Sequence, residues 1–251
     1  MLNIAVLSLS HCFAEPASTN SWLDSSRQLV YVLADDWDSP AGVLTAFEKG
    51  SHGWSMVMSE IPVTLGRKGL GLGLGLHDSN LSGPPKREGD KKAPAGVFPL
   101  EFSFGTKGKV LQGKSLFPYR KTSAMHFWVD DSASAFYNQW VELSDGSIRK
   151  DWKSAETLRR KDGIYDLVIV VGHNRGEVVP GRGSAIFLHS WLGPGVPTIG
   201  CTAMDPGHLK TLWQWLDSQR YPVLVQGPRD LVCSFPLPEG GSASIKRFLQ
   251  P

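Results

Sequence analysis

Cysteine is scarce in this sequence, with three residues among 251, at positions 12, 201 and 233. So few cysteines exclude the disulfide-built scaffold that holds many small secreted domains together. The odd count also leaves at least one thiol without a partner in the same chain. We expect Cys233 to be a buried or idle thiol.

Long apolar runs and a strong charge of either sign are also missing. No stretch approaches the roughly 20 apolar residues of a membrane span, so we expect none. The 26 Lys and Arg against 24 Asp and Glu give a net charge of +2. This balance gives no electrostatic case for nucleic acid as a partner. Apolar residues at 41% and charged residues at 20% are ordinary for a globular domain.

The first 26 residues form an ambiguous leader. An apolar stretch opens it, and the small residues Cys12 and Ala14 follow with the placement of a cleavage site. A secretory signal normally begins with Lys or Arg, whereas the first such residue here is Arg27. We interpret residues 1–26 as a leader, with a truncated signal segment as one alternative and a segment without a role as the other. Residues 27–251 are the predicted catalytic domain.

Extended segments dominate the rest of the pattern. Runs of β-branched and aromatic residues predict strands. Because strands and helices do not alternate regularly, we expect a mainly β fold, a sandwich or barrel of mixed sheets with one packed helix. The predicted strands lie within 27–37, 55–65, 166–173, 183–191 and 221–228.

Two segments carry helix signals. Asp205 at an N-cap and Pro206 at the first helical position predict the clearest helix start in the chain, followed by an apolar stripe. Segment 129–141 predicts a short helix capped by Asp131 or Ser132.

Glycine and proline mark two further segments. Gly and Leu alternate strictly over residues 69–76, which indicates an extended segment with something packed close to its backbone. A flexible loop is the alternative there. Segment 83–100 is rich in Pro, Gly and charge and predicts a long loop.

One histidine and one cysteine are the candidates for chemistry. His189 closes an apolar strand, and Cys201 follows 12 positions later (201 − 189) after a loop rich in Gly and Pro. A nucleophilic cysteine must lose its proton, and an imidazole is the usual acceptor. Gly200 leaves space for backbone N–H groups that bind an oxyanion. A buried structural pair is one alternative, and a zinc site that adds His173 and His208 is the other.

This region resembles the L,D-transpeptidase catalytic domain, the YkuD-like family. The family signature is a His followed, after a loop, by Ser/Thr-x-Gly-Cys, which corresponds to His189 and to Thr198 through Cys201. The common form reads Ser-His-Gly-Cys with Arg or Asn two places on, where this chain has Ile199 and Ala203. Further blocks resemble one branch of the family in the same order, at 63–75, 86–100, 128–138, 163–174 and 221–228.

The resemblance implies a reaction on tetrapeptide stems of peptidoglycan. Cys201 would be the nucleophile that forms a thioester, and His189 the general base. The Ser190 carbonyl would orient the imidazole, and the N–H groups of Cys201 and Gly200 would bind the oxyanion. The thioester would then pass to a second stem's amine or to water. The resemblance implies a reaction that needs neither a metal nor a cofactor. It also implies a periplasmic or secreted location in the bacterial cell envelope, and we expect a monomer.

Five residues are candidates for substrate contact. Lys86 and Arg87 suit the carboxylates of a stem peptide, with a solvated loop as the alternative. His173, Trp191 and Thr198 complete the set, and a core role is the alternative for His173 and Trp191. The alternative functions are an L,D-carboxypeptidase that uses water, a wall-binding module without turnover, and a cysteine protease acting on L,L-peptides.

Overall fold

Two β-sheets make up most of the computed structural model, which describes residues 21–106, 115–143, 146–236 and 243–249. The strands in chain order are β1 (Gln28–Ala34), β2 (Ala41–Gly50), β3 (Gly53–Thr64), β4 (Leu70–Leu72), β5 (Ala93–Gly105), β6 (Tyr119–Lys121), β7 (His126–Val129), β8 (Trp140–Glu142), β9 (Ala155–Thr157), β10 (Val168–Val171), β11 (Phe187–Ser190), β12 (Thr202–Met204) and β13 (Val223–Pro228).

The larger sheet closes on itself. Its order is β10-β11-β12-β3-β2-β1-β13-β5-β4, with β6 added beside β5, and β10 also pairs with β5 to complete a barrel. The pairs β1–β13 and β11–β12 are parallel, whereas β1–β2, β2–β3 and β10–β11 are antiparallel. The prediction of a mainly β fold of mixed sheets is therefore confirmed.

Alternation along the strands divides the apolar side chains between two cores. In β10, Ile169 and Val171 lie in the main core, while Val168 and Val170 lie in a second core. A strand buried on both faces needs such a continuous apolar run. The second core also contains Cys201, so the candidate nucleophile lies in a packed environment.

The smaller sheet, in the order β8-β7-β9, packs on this second core. Trp128 of β7 is 1% exposed, and its ring meets that of Phe187 edge-on with centroids 5.1 Å apart. The next residue, Val129, turns to the opposite face and joins a third apolar cluster. The smaller sheet thus covers the part of the barrel that carries β11.

Segment 129–141 forms turns between β7 and β8, so the predicted helix is wrong there. The Asp131 carboxylate accepts hydrogen bonds from the backbone N–H of Ala133 at 3.0 Å and of Lys153 at 2.8 Å. Asp side chains that bond to nearby backbone favour turns over helix interiors. The contact with Lys153 comes from a distant part of the chain, which local sequence does not reveal.

The predicted loop at 83–100 is wrong in its second half, because β5 starts at Ala93 and continues through Pro94, Gly96 and Pro99. Its successive parts pair with β4, β13 and β10. Proline and glycine normally interrupt a strand. Here the pairing with three neighbours outweighs that local preference.

The Gly-Leu repeat at 69–76 is extended where it forms β4, as one of its two interpretations predicted. A Cβ atom on Gly75 would lie 2.1 Å from the Val97 carbonyl oxygen. The backbones of the repeat and of β5 are therefore packed too closely for any side chain at Gly75.

The helices are α1 (Ser21–Ser25), α2 (Pro206–Trp215), α3 (Arg229–Ser234) and α4 (Ala243–Leu249), with a 3₁₀ turn at Ser218–Arg220. The start of α2 matches the prediction, since the Asp205 side chain accepts a hydrogen bond from Gly207 N at 2.7 Å. Leu212 and Trp213 of α2 are buried in the main core. This is the packed helix expected after the candidate nucleophile.

The described core begins before residue 27. Trp22 and Leu23 of α1 are 8% and 7% exposed and belong to the main core, while residues 1–20 of the predicted leader lie outside the described residues. Cys233 is disulfide-bonded, so the prediction of an idle thiol there is wrong. Among the described helices, none is long and apolar enough to span a membrane.

Candidate active site

The pairing of β11 with β12 places Cys201 and His189 on one face of the barrel sheet. Leu188 lies opposite Thr202, and His189 lies opposite Ala203. Because side chains alternate along a strand, Cys201, His189 and Ala203 share the face away from Leu188. Cys201 and His189 are therefore diagonal neighbours, with roughly 7–8 Å between such backbone positions, a gap that their side chains can narrow.

Both side chains line a cavity of about 520 Å³. Cys201 is 7% exposed and His189 is 6% exposed, so each is largely shielded from water. Among the residues predicted from sequence, the cavity lining also includes Lys86, Trp191, Thr198 and Gly200. The barrel thus brings most of the predicted site residues together.

The His189 ring is held in one tautomer. Its Nδ1 atom lies 2.8 Å from the Ser190 carbonyl oxygen. A carbonyl oxygen only accepts, so Nδ1 carries the hydrogen and Nε2 keeps its lone pair. Tyr165 packs against the imidazole edge-on, with ring centroids 5.4 Å apart. Burial lowers the pKa of His189 to about 4, so the ring is neutral at pH 7 and Nε2 can accept a proton.

The Cys201 thiol is protonated at rest. It donates a hydrogen bond to the Ala185 carbonyl oxygen at 3.5 Å, and no hydrogen bond to His189 occurs among the described residues. Burial raises the pKa of Cys201 to about 12, while a hydrogen bond from the Phe187 backbone acts in the opposite direction. The resting pair is thus a neutral thiol and a neutral imidazole rather than an ion pair.

Thr198 builds the turn that carries Cys201. Its hydroxyl donates to the Cys201 carbonyl oxygen at 2.6 Å and accepts from Gly200 N at 3.1 Å. The Gly200 N–H, predicted to bind an oxyanion, is therefore already bonded within the turn. The Thr198 hydroxyl, predicted to contact substrate, is engaged there as well. Of the two predicted oxyanion donors, the N–H of Cys201 remains.

Lys86 and Arg87 differ in position. Lys86 is 3% exposed, lines the cavity, and donates to Asp90 Oδ1 and to the Arg87 carbonyl oxygen, both at 2.7 Å. The Arg87 side chain is exposed and is not among the described residues of the cavity lining. Of the two predicted carboxylate ligands, only Lys86 lies beside the candidate pair.

His173 lies apart from the described cavity lining. Its Nδ1 accepts from Leu74 N at 3.1 Å, and its Nε2 lies 2.9 Å from the Arg182 carbonyl oxygen. Burial lowers its pKa to about 3. Backbone groups thus use both ring nitrogens, as in a core histidine, and the predicted substrate contact gains no support.

The zinc alternative also gains no support. In the described ranges, no group of three or more His, Cys, Asp or Glu side chains is placed to hold a metal ion.

Several cavity residues were not identified from the sequence. Glu156 lies opposite Trp128 in the pairing of β9 with β7 and therefore faces the second core. Its carboxylate accepts a hydrogen bond from Tyr165 and lies 3.9 Å from Arg160. No motif marks Glu156 in the sequence, and the packing of the smaller sheet brings it to the cavity.

Residues 33–225 match the family model of the YkuD L,D-transpeptidase catalytic domain. No curated protein sequence matches the chain. Among solved structures, the helical cell shape determining protein Pgp2 from Campylobacter jejuni is 13% identical, with a TM-score of 0.35, over 83% of this chain and 55% of that one. The chain thus spans about half the length of that protein. Because the family match covers most of the sequence, including His189 and Cys201, this chain belongs to the YkuD family of L,D-transpeptidase catalytic domains.

Proposed function

We propose that this protein is a cysteine-dependent L,D-transpeptidase that acts on tetrapeptide stems of peptidoglycan. The observation that carries the proposal is the free thiol of Cys201 and the neutral imidazole of His189 on one face of neighbouring strands, in one cavity. The family match supplies the reaction class. Lys86 and Trp191, which line the same cavity, are the proposed contacts with the stem peptide.

The proposed reaction starts from the neutral pair. As the Cys201 sulfur attacks the scissile carbonyl carbon, Nε2 of His189 takes the thiol proton. The carbonyl oxygen becomes an oxyanion that accepts a hydrogen bond from the Cys201 N–H. Collapse of this intermediate breaks the peptide C–N bond, and the imidazolium returns its proton to the departing amine. The product is a thioester on Cys201, which a second stem's amine or water then cleaves.

We also propose that the protein acts as a monomer in the cell envelope. Peptidoglycan, the substrate implied by the family, lies in that compartment. Disulfides persist in oxidising compartments such as the bacterial periplasm, and the disulfide bond at Cys233 suits such a location.

Product analysis tests the proposed activity. The purified protein is incubated with disaccharide tetrapeptides, and the products are separated and identified by mass spectrometry. We expect a dimer crosslinked between third residues, with release of the terminal D-amino acid. A free tripeptide without dimer would replace transpeptidation by L,D-carboxypeptidation. Unchanged tetrapeptide from a folded protein would contradict both activities.

The neutral pair predicts an unusual pH profile. Because burial lowers the pKa of His189 to about 4, the general base stays deprotonated well below the usual titration range near 6.5. We expect kcat/KM to hold a plateau through mildly acidic pH and to fall with a midpoint near pH 4. Circular dichroism at each pH separates this loss from unfolding. An acid limb centred near 6.5 would show that the imidazole titrates like an exposed one.

A further inference from the structure

A buried amide, that of Asn138, bonds to the segment that leads into β11. Asn138 is 1% exposed, and its Oδ1 accepts from Trp128 Nε1 at 2.9 Å and from Ala185 N at 3.2 Å. Its Nδ2 donates to the carbonyl oxygens of His173 at 3.1 Å and Asn174 at 2.6 Å. One side chain therefore ties Trp128 of the smaller sheet to the segment that follows β10 and to the segment that precedes β11.

Ala185 adopts a backbone conformation that alanine rarely takes, with φ of +54°. The left-handed region disfavours a residue with a Cβ atom, because that atom comes too close to the following carbonyl oxygen. Such strain persists only where surrounding contacts impose it. The hydrogen bond from Ala185 N to Asn138 is a contact that holds this conformation.

The same residue touches the candidate nucleophile. The carbonyl oxygen of Ala185 accepts the hydrogen bond of the Cys201 thiol at 3.5 Å. The direction of this carbonyl depends on the dihedral angles of Ala185, so a change in that backbone moves the acceptor away from the sulfur. A continuous path of hydrogen bonds thus runs from Asn138 through Ala185 to Cys201.

We infer that Asn138 is a positioning residue for the Cys201 thiol and acts through the backbone of Ala185. The amide imposes the strained conformation, and the strained carbonyl holds the sulfur in its protonated form, aimed into the cavity. The significance for catalysis rests on the proposed role of Cys201 as nucleophile. The positioning itself is a property of the folded chain and can be measured without turnover.

Other groups also act on the thiol, and the test must hold them constant. Besides Cys201, the titratable or charged side chains that line the same cavity are Arg67, Lys86, Glu88, Lys91, Asp130, Glu156, Arg160, Tyr165 and His189. None of them bonds to the Asn138 side chain in the described structure. Replacing Asn138 therefore leaves these charges in place.

The test uses the full chain and measures how fast iodoacetamide alkylates Cys201, identified by peptide mass spectrometry, from neutral to alkaline pH. Asn138→Gly removes the amide and still accommodates the φ of +57° at this position. Losing one hydrogen bond that favours the thiol should raise the thiolate fraction, and hence the alkylation rate, about tenfold. We expect kcat to fall while KM stays near its original value. Asn138→Ser is a second variant with the same expected direction.

Two controls separate positioning from simple loss of stability. Asn138→Asp keeps an acceptor for Ala185 N, and its added negative charge disfavours a thiolate, so it should alkylate no faster than the original protein even though it is less stable. Gln28→Ala removes another buried amide, which bonds to Trp215 and Asp217 away from the cavity, and should lower the melting temperature without faster alkylation. The inference would be overturned if Asn138→Gly did not speed the alkylation of Cys201. It would also be overturned if Asn138→Asp sped it, or if Gln28→Ala sped it as much as Asn138→Gly does. Faster alkylation of Asn138→Gly, found for a protein that shows no turnover, would support the inference and count only against the proposed function.

Discussion

Replacing Cys201 by Ala or Ser should abolish release of the terminal D-amino acid, with a loss on the order of 10³-fold or more. The proposed thioester forms on this sulfur. The methyl group of alanine cannot act as a nucleophile, and the hydroxyl of serine has a higher pKa than a thiol and is a weaker one. Intact-protein mass spectrometry should show a peptidyl adduct on the original protein and none on Cys201→Ala. The assay compares initial rates on tetrapeptide at equal concentrations of folded protein.

Cys201→Ser is the matched variant, since it changes one atom and reduces the side-chain volume only slightly at a position that is 7% exposed. Both variants should unfold within a few degrees of the original protein. Turnover retained by Cys201→Ala would remove the covalent mechanism, and an adduct elsewhere would assign the nucleophile to a different side chain.

His189→Gln should lower kcat/KM by a factor on the order of 10² to 10⁴, the usual contribution of a general base. Glutamine fills a similar volume but accepts no proton near neutral pH. Because Cys201 and His189 act on one proton transfer, the double variant with Cys201→Ala should be no slower than Cys201→Ala alone.

His77→Gln is the control for this substitution. His77 is a half-buried histidine whose ring also bonds to backbone, at Val97 N and the Gly73 carbonyl oxygen, and it is not among the described residues of the cavity lining. It should cost stability while kcat/KM stays within a small factor of the original. Equal losses of activity in His77→Gln and His189→Gln would indicate a general effect of removing a buried imidazole.

The sequence was informative where local chemistry determines local structure. The start of α2 depends on the capping side chain of Asp205 and on the ring of Pro206, so these two residue types are enough to predict it. The apolar run of β10 predicts burial on both faces, and the two cores confirm it. The pairing of His189 with Cys201 came from a spacing together with a resemblance to a family.

What the sequence did not show depends on pairing between distant segments. Pro94 and Pro99 indicate a loop by local preference, and only the partners of β5 make them part of a strand. Glu156 and Asn138 lie far from Cys201 along the chain and reach the cavity region because the smaller sheet folds over the second core. The sequence predicted the Gly200 N–H as an oxyanion donor, but in the structure this N–H donates to the Thr198 hydroxyl. The sequence alone does not reveal that contact.

The high pKa of Cys201 has a consequence outside the catalytic cycle. Peroxides and disulfides react with thiolates far faster than with thiols. A sulfur that is buried and keeps its proton until a stem peptide arrives is a poor target for such oxidants. At the proposed location in the envelope, where reducing systems of the cytosol do not reach, a protonated sulfur would help the protein to keep its nucleophile intact between turnovers.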